Sequence, residues 1–126
     1  MGKILVVEDN SVMLKAMLEV LRTAGHQAYG AVDWGECRGV LQSFTPELII
    51  MDVNLEGTQG GDVLAFHLTK DPRTKDSKLV FHSALKEYDL QVLCKRLQVQ
   101  GYICKGTIGA YWLGRINAFL AAPKKS

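Results

Sequence analysis

Short, almost wholly apolar runs alternate along the chain with longer stretches in which apolar side chains recur every three or four residues. The runs are Ile4-Leu5-Val6-Val7, Leu48-Ile49-Ile50-Met51, Leu79-Val80-Phe81-His82 and Tyr102-Ile103-Cys104, with Gln27-Ala28-Tyr29-Gly30-Ala31 as a weaker candidate. Such runs are too short for helices and, being rich in β-branched and aromatic residues, read as strands. After the first run, Val12, Met13, Ala16, Met17, Val20 and Leu21 share one helical face. Asn10 or Ser11 can cap that helix through a side-chain oxygen, and Gly25 stops it. Asp33 caps a second predicted helix running to about Phe44, and Pro46 breaks the chain before the next strand. The glycine-rich stretch from Glu56 to Gly61 leads to a third helix ending near Asp71-Pro72. A fourth helix runs from Glu87 to about Val99 with Leu90, Leu93 and Leu97. A fifth runs from Ile108 to about Ala121 with Trp112, Leu113, Ile116 and Leu120.

Strands apolar at nearly every position belong in a parallel sheet buried on both faces, and right-handed crossovers place helices on each side. The expected architecture is therefore α/β, a doubly wound five-stranded parallel sheet. There is no internal repeat, linker or low-complexity stretch. One domain is expected over residues 1–122, followed by a frayed tail at 123–126, with no output domain attached within the chain. At 126 residues a fold buries roughly two-thirds of its unfolded surface without staples. Lys+Arg 15 against Asp+Glu 13, a net charge of +2, is too small an excess for a chain whose direct partner is nucleic acid. No apolar run approaches the ~20 residues that cross a bilayer, and no signal-peptide pattern opens the chain. Cys37, Cys94 and Cys104 are odd in number and form no CxxC pair, so they are expected to be reduced and mostly packed. A cytoplasmic protein without membrane contact is the expectation.

Chemistry enters at the strand ends. In a doubly wound sheet, ligands bind beyond the carboxyl ends of the strands. The polar residues immediately after the apolar runs are Glu8 and Asp9, Asp52, Ser83 and Lys105. Three carboxylates at close range repel one another unless a cation lies between them, and Asp oxygens with a backbone carbonyl suit Mg²⁺. Lys105 can neutralise an anionic oxygen, Ser83 can donate to another, and one carboxylate can act as nucleophile to give an aspartyl phosphate. Asp52 alone reads as readily as a turn or cap residue; its company is what points to a site. The glycines from Gly57 to Gly61 lack the Lys-Ser/Thr ending of a P-loop, and no GxGxxG follows the first strand, which disfavours ATP and NAD. His26, His67 and His82 have no metal-ligand spacing.

The elements ILVVEDNS, LIIMDVNLEGTQGG, VFHSA and GYICK, in that order and at strand ends, resemble the response-regulator receiver domains of two-component signalling. The resemblance runs from Lys3 to about Ala121. It implies a flavodoxin-like sheet of order 2-1-3-4-5, with Asp52 as phosphoacceptor. Asp9 and Asp52 would bind Mg²⁺ directly, Glu8 through water and Asn54 through its backbone carbonyl. Ser83 and Lys105 would contact the phosphoryl oxygens. It further implies a switch in which Ser83 shifts toward the phosphate and Tyr102 turns inward, remodelling the face of the fourth helix, fifth strand and fifth helix. The implied partners are a histidine kinase or phosphotransfer protein as donor, and a downstream protein or output domain as reader. A homodimer through that same face is also implied as an option. Such a domain takes part in its own phosphotransfer and hydrolysis without being an enzyme.

Three departures qualify the resemblance. Gly106 follows Lys105 where the family usually has proline after a cis bond; a cis bond before a non-proline residue costs about 3–4 kcal/mol, so a trans or rearranged loop is expected. Glu56 stands where proline is common, and Glu8 replaces the commoner Asp. The first two keep a second reading open, a degenerate receiver acting as a phosphorylation-independent interaction module. A small phosphatase using Asp52 ranks last, because Asn54 stands where haloacid-dehalogenase-like enzymes carry a second Asp.

Overall fold

A computed structural model describes residues 2–53 and 61–124, the side chains of residues 61–63 aside. Ten elements alternate: β1 (Lys3–Val7), α1 (Ser11–Thr23), β2 (Gln27–Ala31), α2 (Trp34–Leu41), β3 (Leu48–Met51), α3 (Gly61–Lys70), β4 (Lys78–Ser83), α4 (Glu87–Leu97), β5 (Gly101–Cys104) and α5 (Ala110–Ala121). The strands form one parallel sheet in the order β2-β1-β3-β4-β5. This is the doubly wound arrangement that the strand pattern predicts.

Period-two alternation divides the core into two layers. Leu5, Val7, Ile49, Met51, Leu79 and Phe81 point to one face and pack with Leu41, Leu64, Leu68 and Leu90 from α2, α3 and α4. Ile4, Val6, Leu48, Ile50, Val80 and Ile103 point to the other and pack with Met17 and Leu21 of α1 and Trp112 and Ile116 of α5. Every residue of β3 is buried, as expected of a central strand covered on both sides. The weaker candidate, β2, is an edge strand with Gln27 and Tyr29 exposed, which explains its mixed composition.

Local signals end the elements largely where predicted. Asn10 Oδ1 accepts from the Met13 N–H at 2.9 Å, capping α1. Asp33 Oδ1 accepts from Glu36 N–H at 2.9 Å, while Glu36 Oε1 accepts from Val32 N–H at 2.9 Å, a reciprocal start to α2. Gly25, after α1, takes a left-handed φ of 93° that a Cβ would strain. Three helix ends fall short of expectation. α2 stops at Leu41 because the chain tightens into three-residue turns at Gln42 and Ser43. α4 stops at Leu97 because Gln98 is left-handed at φ 58°. α5 begins at Ala110 because Gly109 is extended.

α5 carries no basic residue in its last turn; Lys78 of β4 supplies the cation, donating to the Phe119 and Leu120 carbonyls at 2.9 and 2.7 Å. Beyond α5 the Pro123 carbonyl accepts from Gln100 Nε2 at 2.9 Å, so the tail is tied down at that residue. Cys37 and Cys94 are buried, Cys104 is exposed, and none of the three forms a disulfide; burial pushes the Cys37 thiol up to about 12. Among the described residues no peptide bond is cis, Lys105–Gly106 included. No described helix is long and apolar enough to cross a membrane.

Candidate functional site

The carboxyl ends of β1, β3, β4 and β5 meet at one end of the sheet, and the register brings their trailing residues together. The Glu8 N–H bonds the Ala31 carbonyl at 2.9 Å, and the Asp52 N–H bonds the Val7 carbonyl at 3.1 Å. These bonds continue the ladders just past the last paired residues, so the first side chains beyond the sheet emerge side by side. Lys105 N–H likewise bonds the Ser83 carbonyl at 2.8 Å, fixing the lysine beside β4.

Glu8, Asp9 and Asp52 each offer a carboxylate oxygen, and these oxygens all lie within 4.8 Å of one another. Lys105 Nζ bridges two of the three, at 2.6 Å from Asp52 Oδ2 and 3.1 Å from Glu8 Oε1. Glu8 and Asp52 are 1% and 5% exposed, so their charges are screened less than charges on the surface. Burial raises the Glu8 pKa; the Asn10 N–H on Oε2 and the Lys105 ammonium oppose it, and the Asp52 charge reinforces it. Burial alone lowers the Lys105 pKa, but the bond to Asp52 and the ion pair with Glu8 outweigh it and hold the ammonium above its usual value.

The donor set fits a hard divalent cation. Glu8 Oε1 is buried and, though close to Lys105 Nζ, receives no well-aligned hydrogen bond, so it keeps acceptor capacity toward the crevice. Three oxygens at this spacing match the oxygen preference of Mg²⁺, which retains waters for its remaining positions.

The other predicted residues divide. Ser83 is fully buried at the end of β4, and its Oγ accepts from Leu85 N–H at 3.1 Å. Tyr102 lies outside the carboxylate cluster: its hydroxyl donates to Glu87 Oε1 at 2.8 Å and accepts from Gln91 Nε2 at 3.0 Å. Asn54, Glu56 and the glycines that follow, up to Gly60, lie outside the described residues. The sequence reading did not single out Glu87 and Gln91; only their spacing of four on α4 hinted at a shared face. It also left His82 as an ordinary strand residue. His82 is 1% exposed, its ring sits edge-on to Trp112 with centroids 6.1 Å apart, and neither ring nitrogen has a hydrogen-bond partner among the described residues. His67 is exposed and stacks on Trp34.

Comparison with known proteins agrees with this fold. A family described as the response regulator receiver domain matches residues 4–109. The phosphate regulon transcriptional regulatory protein PhoB of Pseudomonas aeruginosa is 28% identical over 120 residues, covering 94% of this chain and 52% of the relative. The aerobic respiration control protein ArcA of Escherichia coli is 33% identical over 57 residues, 45% of this chain and 24% of the relative. The chain thus spans about half the length, or less, of the curated relatives it matches. Among solved structures, the Vibrio cholerae chemotaxis protein CheY4 superposes with TM-score 0.85 at 19% identity, over 94% of this chain and 98% of that one. A response regulator from Thermotoga maritima gives 0.82 at 21%, over 96% and 98%. At these identities the solved structures speak for the fold.

Proposed function

The chain belongs to the response regulator receiver domain family, and from that premise we propose that it is a phosphoacceptor switch whose acceptor is Asp52. The observation that carries this reading is the pairing of Asp52 Oδ2 with Lys105 Nζ at 2.6 Å, inside a buried cluster that Glu8 and Asp9 complete. Burial strips water from the Asp52 carboxylate, and the Lys105 cation beside it is placed to neutralise the charge that develops on a phosphoryl group transferred there.

In the proposed transfer an Asp52 oxygen attacks the phosphorus of a phosphohistidine on a histidine kinase or phosphotransfer protein. The new P–O bond forms as the P–N bond breaks, and the departing imidazole nitrogen keeps the electron pair and takes up a proton. Lys105 gives up its contact with Asp52 and neutralises a phosphoryl oxygen; Ser83 Oγ–H donates to another. Asp9, Asp52, the Asn54 backbone carbonyl and, through water, Glu8 would hold Mg²⁺, which would supply positive charge against that gathering on the phosphoryl oxygens. Water attacking the same phosphorus breaks the bond to Asp52, releases inorganic phosphate and returns the free carboxylate, ending the signalling state. Ser83 moving toward the phosphoryl group and Tyr102 turning inward then remodel the face of α4, β5 and α5, read by a downstream protein, an output domain or a second copy. Residues 1–122 are assigned to the receiver unit and 123–126 to a C-terminal tail, and the setting is the cytoplasm.

Incubation with acetyl phosphate and Mg²⁺ should raise the intact mass by one phosphoryl group, and Asp52→Asn should abolish the gain. No adduct, or an equal adduct on the variant, refutes the assignment and favours the phosphorylation-independent module.

A further inference from the structure

Two residues of α4 converge on one atom of β5. Glu87 Oε1 accepts the Tyr102 hydroxyl proton at 2.8 Å, while Gln91 Nε2 donates to the same oxygen at 3.0 Å. Both residues are exposed and lie one helical turn apart, so they share a face that overhangs the edge strand. The rest of Tyr102 is anchored as well. Its ring packs half-buried against the core layer beneath α3 and α4, and its carbonyl accepts from Arg115 Nη2 at 3.0 Å. The phenol therefore has both of its hydrogen-bonding roles, donor and acceptor, filled on the α4 side. Ser83, the other switch residue, has its Oγ engaged locally by Leu85 N–H at 3.1 Å.

A hydroxyl so held cannot swing away without giving up a neutral bond and a charge-assisted one together, the latter the stronger kind. The Tyr102 pKa carries the imprint of both: Gln91's donated bond pulls it down, but Glu87's accepting carboxylate, with burial and the neighbouring negative groups, leaves it raised. We propose that Glu87 and Gln91 form a two-point clamp on Tyr102 that biases the unphosphorylated domain toward its resting arrangement. Its regulatory meaning rests on the phosphoacceptor reading; its existence as a restraint does not. The clamp sets how far the resting equilibrium must be pushed, and so how readily the domain is phosphorylated and how strongly it signals unprompted. Because both residues are exposed, their removal leaves the core intact.

The test uses the full chain as wild type, Glu87→Ala/Gln91→Ala, Tyr102→Phe, and all three changes combined, with circular dichroism to verify folding. Aromatic NMR of the metal-free, unphosphorylated protein reads the Tyr102 ring, assigned by its loss in Tyr102→Phe. Phosphoryl uptake from acetyl phosphate at saturating Mg²⁺ reads the switch. Clamp removal is expected to shift or broaden the Tyr102 signal and speed uptake about three- to tenfold, the size set by exposed hydrogen bonds of which one is charge-assisted. In the Tyr102→Phe background the same change should add nothing, and Glu87→Gln, which keeps an acceptor, should have a smaller effect. An unmoved Tyr102 signal overturns the clamp, as does equal acceleration in the Tyr102→Phe background. If the wild type takes up no phosphoryl group at all, the acceptor reading falls, while the Tyr102 signal still decides the clamp.

Discussion

Replacing His82 with leucine should remove a steep loss of stability on acidification. His82 is 1% exposed and faces Trp112 edge-on, and its two nitrogens have no hydrogen-bond partner among the described residues. Burial is the main reason its pKa falls to about 4 from 6.5; the Lys105 charge adds to the effect and the Asp52 charge opposes it. An unfolded chain binds this proton at the ordinary value, so in acid the unfolded state takes up a proton that the folded state refuses. Since the folded pKa is depressed, the stability His82 contributes is present in full above pH 6.5 and disappears as pH falls toward 4. With one pKa unit worth about 1.4 kcal/mol, the loss relative to pH 7 comes to about 2 kcal/mol at pH 5 and about 3 kcal/mol at pH 4. Urea unfolding of the wild type and of His82→Leu at pH 7, 6, 5 and 4 isolates this share, because the carboxylates titrate alike in both. At pH 7 the variant should be the more stable by about 1 kcal/mol, since it removes a buried donor and acceptor that have no partners. Parallel stability curves across that range would refute the argument, as would a His82 imidazole signal titrating at or above pH 6.

Three further changes test other parts of the molecule. Lys105→Ala leaves Glu8 and Asp52 without the cation that reaches both, so their mutual repulsion should tighten Mg²⁺ binding by about three- to tenfold. Phosphoryl uptake should fall at the same time; a fluorescence titration and intact-mass kinetics read the two effects, and weaker Mg²⁺ binding would contradict the assigned geometry. At Gly101 an added Cβ would lie 2.7 Å from Phe119 Cε1, so Gly101→Ala should displace that ring and cost about 1–2 kcal/mol in urea unfolding. Asp33→Ala removes the cap on Glu36 N–H and should cost about 1 kcal/mol by the same assay.

The sheet was legible because parallel strands buried on both faces cannot hide their composition: Leu48 to Met51 is apolar at every position and buried at every position. The carboxylate cluster was legible for a related reason. Once the runs are strands of one parallel sheet, whatever follows each run must emerge at the same end, which is how Glu8, Asp9, Asp52 and Lys105 come together. What the sequence concealed depends on register between distant elements or on backbone states without a residue signature. Gln98 takes a left-handed conformation usually reserved for glycine, so the end of α4 had no marker. The Tyr102 clamp needs α4 to lie over β5 at one particular rotation, and nothing local to Glu87 or Gln91 records that. His82 was legible as a strand residue, but the absence of partners around it follows only from Trp112 being its neighbour.

The placement of β4 decides which parts of the molecule are free to switch. β4 is an interior strand bonded to β3 on one side and β5 on the other, and Leu79 to Ser83 are all buried. Its side chains alternate between layers: Phe81 belongs to the layer under α3 and α4, while His82 turns to Trp112 of α5. Shifting this backbone would break two ladders at once and strand buried N–H and C=O groups at about 1–3 kcal/mol each. A charge change at Asp52 is therefore answered by side chains and by segments beyond the strand ends, with the ladder left in place. The Ser83 hydroxyl is one such part, since its bond to Leu85 N–H is a single local contact. Tyr102 is the other, because β5 is an edge strand paired on one side only. Phe81 pairs with Tyr102, and Ser83 lies two residues beyond Phe81, so the two residues proposed to switch share one face of the sheet. On the proposed phosphoacceptor reading, the α4 side of β5 is thus where a new phosphoryl group would meet least mechanical resistance, and the contacts at Glu87 and Gln91 are what it would have to overcome.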